Sequence, residues 1–383
     1  MSEKEYGLVL AGGGTKGAYQ VGVWKALQEL QIKIKSIVGA SIGALNGALF
    51  LQEDFAKTEK MYENIKIDNI MKVEGIDSNK NIFELSNIFN LAADYTKQKG
   101  IDNTPLRKMI KQYIDMDKLY NSDIDFGLVT YSVKNKTPLQ KFKNEIPKEK
   151  MEDYLLASSC FPIFKPQVID GQEYYDGGLY DNIPANMLIE KGVKNIIIAD
   201  IAGIGFSKKT VNKDIYVKVI SPSEDLGGTF EFNHERIINN IKLGYLDTMR
   251  SFNKLQGHIY YFKPEEFSKM LENFNLQTIY GLEYAAQIYK MYKYREYSFE
   301  EFIKELYERH LDAERQYQKL KNNNLIQIGK RLNRLFDKGL GICIVKDLYM
   351  DRPASAISNR LLNFVKDYMI SAKALIELKN YIE

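Results

Sequence analysis

The sequence predicts a three-layer α/β/α sandwich with a mostly parallel sheet, followed by a helical C-terminal region. Two strand–turn–helix units near the N-terminus support this fold class, one over residues 6–30 and one over residues 37–49. A third observation is the isoleucine-rich run Val193–Ala199, which is typical of a central parallel strand. Strands that alternate with helices favour a parallel sheet covered by helices on both faces.

The composition is that of an ordinary globular protein, because 45% of the 383 residues are hydrophobic. A chain of this length forms one large domain with an appendage, or two domains. We predict a first domain over residues 1–262 and a helical region over residues 263–383. The 53 basic and 50 acidic side chains give a formal net charge of +3, so no global field attracts nucleic acid and we expect no nucleic-acid partner.

The N-terminus and the cysteines indicate a cytoplasmic protein. Residues Met1–Tyr6 carry acidic side chains and no apolar segment, so we expect no secretory signal. No apolar run approaches the roughly 18 residues that span a bilayer, so we expect no transmembrane segment. Cys160 and Cys343 lie far apart and lack metal-ligand spacing, which predicts no metal site and fits either a reducing compartment or a protein that needs no disulfide.

The first strand–turn–helix unit contains a glycine loop. The strand Tyr6–Ala11 runs into Gly12–Gly17 (GGGTKG), and the helix Ala18–Leu30 follows. Three consecutive glycines allow successive backbone N–H groups to point at one spot beside a helix N-terminus, which is an anion-binding arrangement. The anion is either a phosphate or a transient oxyanion.

A dinucleotide site fits this loop less well, although the loop satisfies G-x-G-x-x-G. Such a site needs an acidic residue at the end of the second strand to bind the ribose. That strand ends in Ile37–Ser41 without an acid, and no G-K-[ST] of a P-loop follows the glycines. The alternatives that stay open are an oxyanion site, a phosphate site and a purely structural turn between helix and sheet.

The second unit places a serine at a sharp strand-to-helix turn within Val38–Ala44. Such a turn strains its central residue, and the glycines at Gly39 and Gly43 remove the collisions that side chains would make on either side of Ser41. The first amides of the helix Ile42–Leu49 would point at whatever the hydroxyl attacks. Since both loops follow parallel strands, we expect them at the same sheet edge. The spacing alone also fits a small-residue packing turn.

The remaining elements follow in order, and one aspartate stands out among them. Asp176 is followed by Gly177 and Gly178 at a strand end, which is either an ordinary turn or a way to let another loop approach the carboxylate. Around it we predict helices over 54–65, 147–158, 185–191 and 233–255, strands over 125–133, 215–220 and 258–262, a capped helix start at Asn103–Pro105, and a hairpin over 168–175 that turns at Asp170-Gly171. Residues up to Thr104, including Asn81–Phe83 and Ile88-Phe89, are predicted to form a variable helical insertion.

The C-terminal region is predicted to be helical. Ser298–Glu301 is a capping box that starts a helix to about Leu320, and a final helix runs over Ala354–Tyr381. The segment Ile326–Asp337 has one apolar face bordered by basic residues. That face either packs on the protein's own body or lies on an anionic bilayer.

The chain resembles the patatin-like phospholipase family. The resemblance is carried by Gly12–Gly17, Gly39–Gly43 and Asp176–Gly178 in the family's order, and it covers about residues 5–205. Supporting matches are Ala157-Ser158, Phe161–Pro166 and Asn182–Pro184, while Cys160 departs mildly from a small alanine-like residue. Each motif is weak alone, but the ordered set is specific.

The resemblance implies a serine lipid acyl hydrolase of phospholipase A or lysophospholipase type that works with a serine–aspartate dyad. Ser41 would be the nucleophile and Asp176 its base, without a metal or other cofactor. The implied oxyanion hole comprises the amides of Gly13 and Gly14, with Gly12, Thr15 and Ile42 as further candidates. The residues that support these motifs are Lys16, Gly17, Gly39, Gly43, Gly177 and Gly178. The implied substrate is a phospholipid or another lipid ester, reached through transient, peripheral contact with a membrane surface.

Two alternatives to this function stay open at the level of sequence. A Ser-Asp-His esterase acting on soluble esters would use His234 or His258, because both follow Asp176 in the order that such triads have on a related fold. His310 lies in a charged helical segment. The second alternative is a non-catalytic module that binds phosphate or a lipid headgroup with the glycine loop. The sequence does not fix the oligomeric state.

Overall fold

The computed structural model describes residues 4–72, 100–203, 214–322, 339–349 and 359–383. The chain divides into two compact units, Met1–Thr248 and Met249–Glu383. The packing division falls before residue 262 because Tyr260 and Phe262 belong to the core of the second unit. As the limit of a functional domain, residue 262 stays a prediction.

The first unit is built on one sheet, in which the described residues form eight strands in the order β5-β6-β3-β2-β1-β7-β8, with β4 paired to β3. The pairs β1–β2, β2–β3, β1–β7 and β7–β8 are parallel, whereas β4, β5 and β6 pair antiparallel at one side. The strands are β1 (Glu5–Leu10), β2 (Lys33–Ala40), β3 (Asp125–Ser132), β4 (Thr137–Phe142), β5 (Gln167–Ile169), β6 (Gln172–Asp176), β7 (Asn195–Ala199) and β8 (Tyr216–Ile220). The central sheet is therefore mostly parallel.

Helices cover both faces of this sheet. They are α1 (Ala18–Glu29), α2 (Ile42–Phe50), α3 (Phe55–Asn64), α4 (Thr104–Tyr113), α5 (Met116–Asn121), α6 (Met151–Ser158), α7 (Ala185–Glu190) and α8 (His234–Ser251), which extends past the division at Thr248. Leu188 of α7 packs with Val38 on one face. The adjacent Ile37 points to the other face, where it lies close to Gly47 of α2. The predicted three-layer fold is confirmed.

The second unit is helical. Its helices are α9 (Pro264–Asn273), α10 (Leu276–Ile288), α11 (Phe299–Asn322), α12 (Gly341–Tyr349) and α13 (Asn359–Ile382), and its two short parallel strands are β9 (Tyr261–Phe262) and β10 (Glu296–Tyr297). The predicted capping box is present, since the Glu301 amide donates to the Ser298 hydroxyl at 3.2 Å. The buried Glu283 carboxylate accepts the amides of His258, Ile259 and Tyr260. Those amides are therefore not used in a strand, and the strand predicted from residue 258 begins only at Tyr261.

The hairpin predicted at Asp170-Gly171 is confirmed, with both residues at positive φ. The helix predicted from Pro147 begins at Met151, because a 3₁₀ turn over Lys148–Lys150 precedes it. Strand β4 was not predicted. The segments around Asn81–Phe83 and Ile88-Phe89, the amphipathic segment Ile326–Asp337 and the beginning of the last predicted helix lie outside the described residues. Across the residues described, no helix has the length and apolar character that crossing a membrane requires.

Candidate active site

Ser41 lies at a strained turn between β2 and α2, with φ 54° and ψ −127°. A Cβ atom added at Gly39 would lie 2.4 Å from the carbonyl carbon of Gly43, and one added at Gly43 would lie 2.1 Å from the carbonyl oxygen of Leu10. Real Cβ atoms do not approach main-chain atoms so closely, so the two positions require glycine, as the sequence predicts. The turn is thus set by close backbone packing of α2 against β1 and β2.

The side chain of a second serine, Ser158, binds the backbone of this turn. The Ser41 amide donates to the Ser158 hydroxyl at 3.1 Å, and that hydroxyl donates to the Val129 carbonyl at 2.7 Å. Ser158 is fully buried at the end of α6. The backbone of the strained residue is therefore connected to the neighbouring strand β3. The sequence marked Ser158 only as part of a supporting motif.

Asp176 ends β6 and is only 4% exposed. Burial raises the pKa of its carboxyl to about 6, and hydrogen bonding from the Ser41 hydroxyl and the Gly178 amide lowers that pKa in part. The Gly178 amide donates to the carboxylate at 2.7 Å. The fold thus brings the two residues of the predicted dyad together. A Cβ atom at Gly177 would lie 2.2 Å from the Val129 carbonyl oxygen, so this glycine allows the loop to approach β3.

The glycine loop after β1 lies at the same carboxyl edge of the sheet, and its backbone amides differ in the acceptors that they have. The Gly12 amide donates to the Asn182 carbonyl at 3.2 Å, and the Thr15 amide donates to the Thr229 carbonyl at 2.8 Å. The fold already uses these two amides, and the assignment of an oxyanion hole to this loop stays a prediction. Within the described residues, the amides of Gly13, Gly14 and Ile42 have no acceptor in the protein.

A buried amide network fixes the glycine loop against α2. The Asn46 side-chain amide donates to the Gly17 carbonyl at 3.0 Å and to the Gln20 side chain at 2.8 Å. Gln20 donates in turn to the Ala11 carbonyl at 2.7 Å, and the Tyr62 hydroxyl donates to Asn46 at 2.8 Å. Sequence reasoning missed this network. The signal was present, because Asn46 is the only polar side chain in the apolar helix α2.

Two further contacts tie the loop to its other neighbours. The Asn182 side-chain amide donates to the Gly12 carbonyl at 3.0 Å, so Asn182 and Gly12 bind each other in both directions. Lys16, which the sequence placed in the motif, donates to the Ala202 carbonyl at 3.1 Å just after β7. These contacts hold the loop that carries Gly13 and Gly14 beside Ser41.

A cavity of about 440 Å³ opens over these residues. Ser41, Asp176, Gly13 and Gly14 line it, and most of the other lining side chains are apolar. They include Ile42, Leu45, Ile65, Ile70, Leu106, Phe161, Phe164, Phe230 and Phe232. A cavity of this size and polarity is typical of a site for an apolar small molecule.

The three motifs line one cavity, and a comparison with known protein families identifies the part of the chain that contains them. Residues 8–189 match the model described as patatin-like phospholipase. This region is a patatin-like phospholipase domain. The resemblance stated from the glycine loop, the serine turn and the aspartate turn is confirmed, and all three lie within the matched residues.

Curated relatives of this patatin-like domain include two lysophospholipases. Lysophospholipase NTE1 of Cryptococcus neoformans var. neoformans serotype D is 27% identical over 208 residues, which cover 52% of this chain and 11% of that protein. Lysophospholipase nte1 of Aspergillus terreus is 32% identical over 207 residues, covering 52% of this chain and 12% of that protein. This chain therefore matches only about a tenth of the length of these relatives. Among solved structures, VipD from Legionella pneumophila is similar with a TM-score of 0.42 and 15% identity, covering 98% of this chain and 86% of VipD.

The histidines have other contacts in their own units. In the unit that contains the patatin-like domain, His234 is exposed, its Nδ1 lies 2.8 Å from the Glu63 carbonyl oxygen, and it does not line the cavity. In the second unit, the His258 ring packs against Tyr280, and the buried His310 accepts or donates a 2.8 Å hydrogen bond with the Tyr289 hydroxyl.

Proposed function

We propose that this chain is a serine lipid acyl hydrolase of phospholipase A or lysophospholipase type, with Ser41 as nucleophile and Asp176 as general base. The observation that carries the proposal is that Ser41 and the buried Asp176 carboxyl line one apolar cavity together with Gly13, Gly14 and Ile42, whose amides have no acceptor among the described residues. The relatives named lysophospholipases support the substrate class. The proposed enzyme is a carboxylic ester hydrolase that needs no metal or other cofactor.

In the first step the Ser41 oxygen attacks the ester carbonyl and its proton passes to Asp176. The negative charge that forms on the carbonyl oxygen is stabilised by the amides of Gly13, Gly14 and Ile42. Removing one such donor from an enzyme typically lowers the rate by about 10²–10³-fold, so a set of three supplies much of the acceleration. The bond to the leaving alcohol breaks, and the alcohol takes from Asp176 the proton that came from Ser41.

In the second step Asp176 takes a proton from water as the water attacks the acyl-enzyme. The bond between the Ser41 oxygen and the acyl group breaks, and the proton on Asp176 returns to Ser41. An aspartate with an ordinary pKa near 4 would be a weak base for this chemistry. Burial that raises the pKa to about 6 brings the carboxylate closer to the range in which general bases work best.

The proposal includes transient contact with a membrane surface by a protein that resides in the cytoplasm. The acyl chains of the lipid substrate are apolar, and the exposed side chains Pro162 and Leu179 line the same cavity as Ser41. They are positioned to meet an acyl chain that leaves a bilayer. This contact would be peripheral, since insertion of a few apolar side chains gives reversible binding.

We expect kcat/KM to rise with pH through about 6 and to be constant above that value. Asp176 must be ionised to accept the proton, and burial raises its pKa to about 6. A histidine base would titrate in a similar range. The profile is therefore measured on the wild type and on His234→Ala and His258→Ala, both of which should keep it. Loss of turnover in either histidine variant would favour a triad.

The direct test is labelling with a fluorophosphonate followed by mass spectrometry of the labelled peptide. We expect covalent modification at Ser41 and release of fatty acid from a monoacyl phospholipid. A protein that binds anionic lipid headgroups but neither reacts at Ser41 nor releases fatty acid would be the non-catalytic module instead.

A further inference from the structure

We propose that the acyl chain of the substrate ends in a narrow apolar gap between α2, α3 and α4, and that Met109 determines the chain length that the enzyme accepts. The inference rests on the proposed function and deepens it. It concerns the part of the substrate that does not react.

The gap has a volume of about 40 Å³ and lies directly behind the cavity over Ser41. The two spaces share one set of lining side chains, which we call the shared wall: Ile42, Leu45, Tyr62, Ile65, Ile70 and Leu106. Because the same residues line both spaces, the two spaces adjoin, and the proposed path of the chain follows this wall from Ser41 into the gap. Ile42 directly follows the proposed nucleophile, so the path begins at the reacting ester.

The side chains that line the gap are predominantly apolar. Beyond the shared wall it is lined by buried apolar side chains, among them Leu49, Met61 and Ile110. The Asn46 side chain also lines it, but its amide group is used by Gly17 and Gln20 and its oxygen accepts the Tyr62 hydroxyl. A phosphate or a second headgroup would find no partner there. The methyl end of an acyl chain meets no such penalty.

Met109 lies one turn of α4 beyond the shared wall. Leu106 lines both the cavity and the gap, whereas Met109, three residues later on the same helix face, lines only the gap. A volume of 40 Å³ exceeds only slightly the roughly 30 Å³ that a water molecule occupies in the liquid, so the gap holds about one chain carbon beyond the wall. The size of the side chain at position 109 therefore decides how many carbons fit.

The test compares kcat/KM across p-nitrophenyl esters from butyrate to stearate. Met109→Ala removes three non-hydrogen atoms, and we expect its optimum to move to acyl chains about two to three carbons longer. Met109→Trp fills the gap, and we expect its optimum to move to chains about one carbon shorter, because the gap holds about one chain carbon. Each additional methylene that the gap can bury should raise kcat/KM about fourfold, and each one that it no longer buries should lower kcat/KM by the same factor. Butyrate, which is too short to reach the gap, should be hydrolysed by both variants at the wild-type rate.

Met116 provides the matched control, because it is also half-buried but lines neither the cavity nor the gap. Met116→Ala and Met116→Trp should keep the wild-type chain-length profile. If both Met109 variants are folded, hydrolyse butyrate and keep the wild-type profile, the inference is overturned while the proposed function stands. If the wild type neither hydrolyses butyrate nor is labelled at Ser41, the proposed function fails first and the inference fails with it. Should Met109→Trp not fold, the shift expected for Met109→Ala decides.

Discussion

Asp176→Asn is expected to lower kcat/KM for a lipid ester by about 10²–10⁴-fold, the range that a general base contributes. Asparagine has nearly the same shape, and its side-chain oxygen still accepts the Gly178 amide that Asp176 binds at 2.7 Å. It cannot take the proton from Ser41. Steady-state hydrolysis of a monoacyl phospholipid measures the effect, and Ser41→Ala, which should show no turnover, defines the floor.

The pH dependence of stability shows whether Asp176→Asn is folded and whether Asp176 is desolvated. Burial raises the pKa of Asp176 from 3.8 to about 6, so the folded state favours the protonated carboxyl. The free energy of unfolding of the wild type should therefore fall as pH rises from about 4 to about 6. The variant has no carboxyl at this position, so its free energy of unfolding should not show this fall. The difference in the free energy of unfolding between Asp176→Asn and the wild type should therefore be about 3 kcal/mol more favourable to the variant at pH 8 than at pH 4. Wild-type turnover in the variant would contradict the assignment of the base.

The serine turn could be predicted from sequence because its constraints are local. Gly39, Ser41 and Gly43 lie within five consecutive positions, and a strand-to-helix turn of this sharpness excludes side chains at both glycines. The parallel order of β1 and β2 follows from alternating strands and helices, and it places both loops at one sheet edge. These parts of the site depend on chain geometry and little on the rest of the fold.

The sequence could not predict which amides of the glycine loop donate within the fold, because their acceptors lie far away in the chain. The Thr15 amide is used by Thr229, which lies 214 residues later, and the Gly12 amide is used by Asn182. No local pattern in the glycine loop distinguishes these amides from those of Gly13 and Gly14. Only the folded chain separates amides that hold the loop from amides that remain for a ligand.

The apolar gap behind the cavity could not be predicted from the sequence either. The sequence predicted α3 and the capped start of α4, but the gap depends on how the side chains of these helices pack against each other. Met109 has no feature in the sequence that separates it from other methionines. Met109 lies one turn beyond Leu106, and it lines the gap only because α4 packs against α2 and α3 next to Ser41.

Gly39→Ala is expected to lower kcat/KM by about 10²-fold, an effect typical of displacing a reacting group by about 1 Å. The new Cβ atom would lie 2.4 Å from the carbonyl carbon and oxygen of Gly43 and 2.6 Å from the amide nitrogen of Ala44. All three are main-chain atoms, so the start of α2 must move, and the Ser41 hydroxyl and the Ile42 amide move with it. Overpacking of this kind also lowers the free energy of unfolding by about 1–3 kcal/mol.

Gly171→Ala separates the loss of activity from the loss of stability in this experiment. Gly171 has φ +75° in the β5–β6 hairpin, and no atom lies within 4 Å of the position that a Cβ would take. Its replacement should cost about 1–2 kcal/mol through backbone strain alone. Since this loss resembles that of Gly39→Ala, we expect similar thermal midpoints for the two variants but full activity only for Gly171→Ala. Equal activities would mean that the close approach of α2 to β2 does not position Ser41.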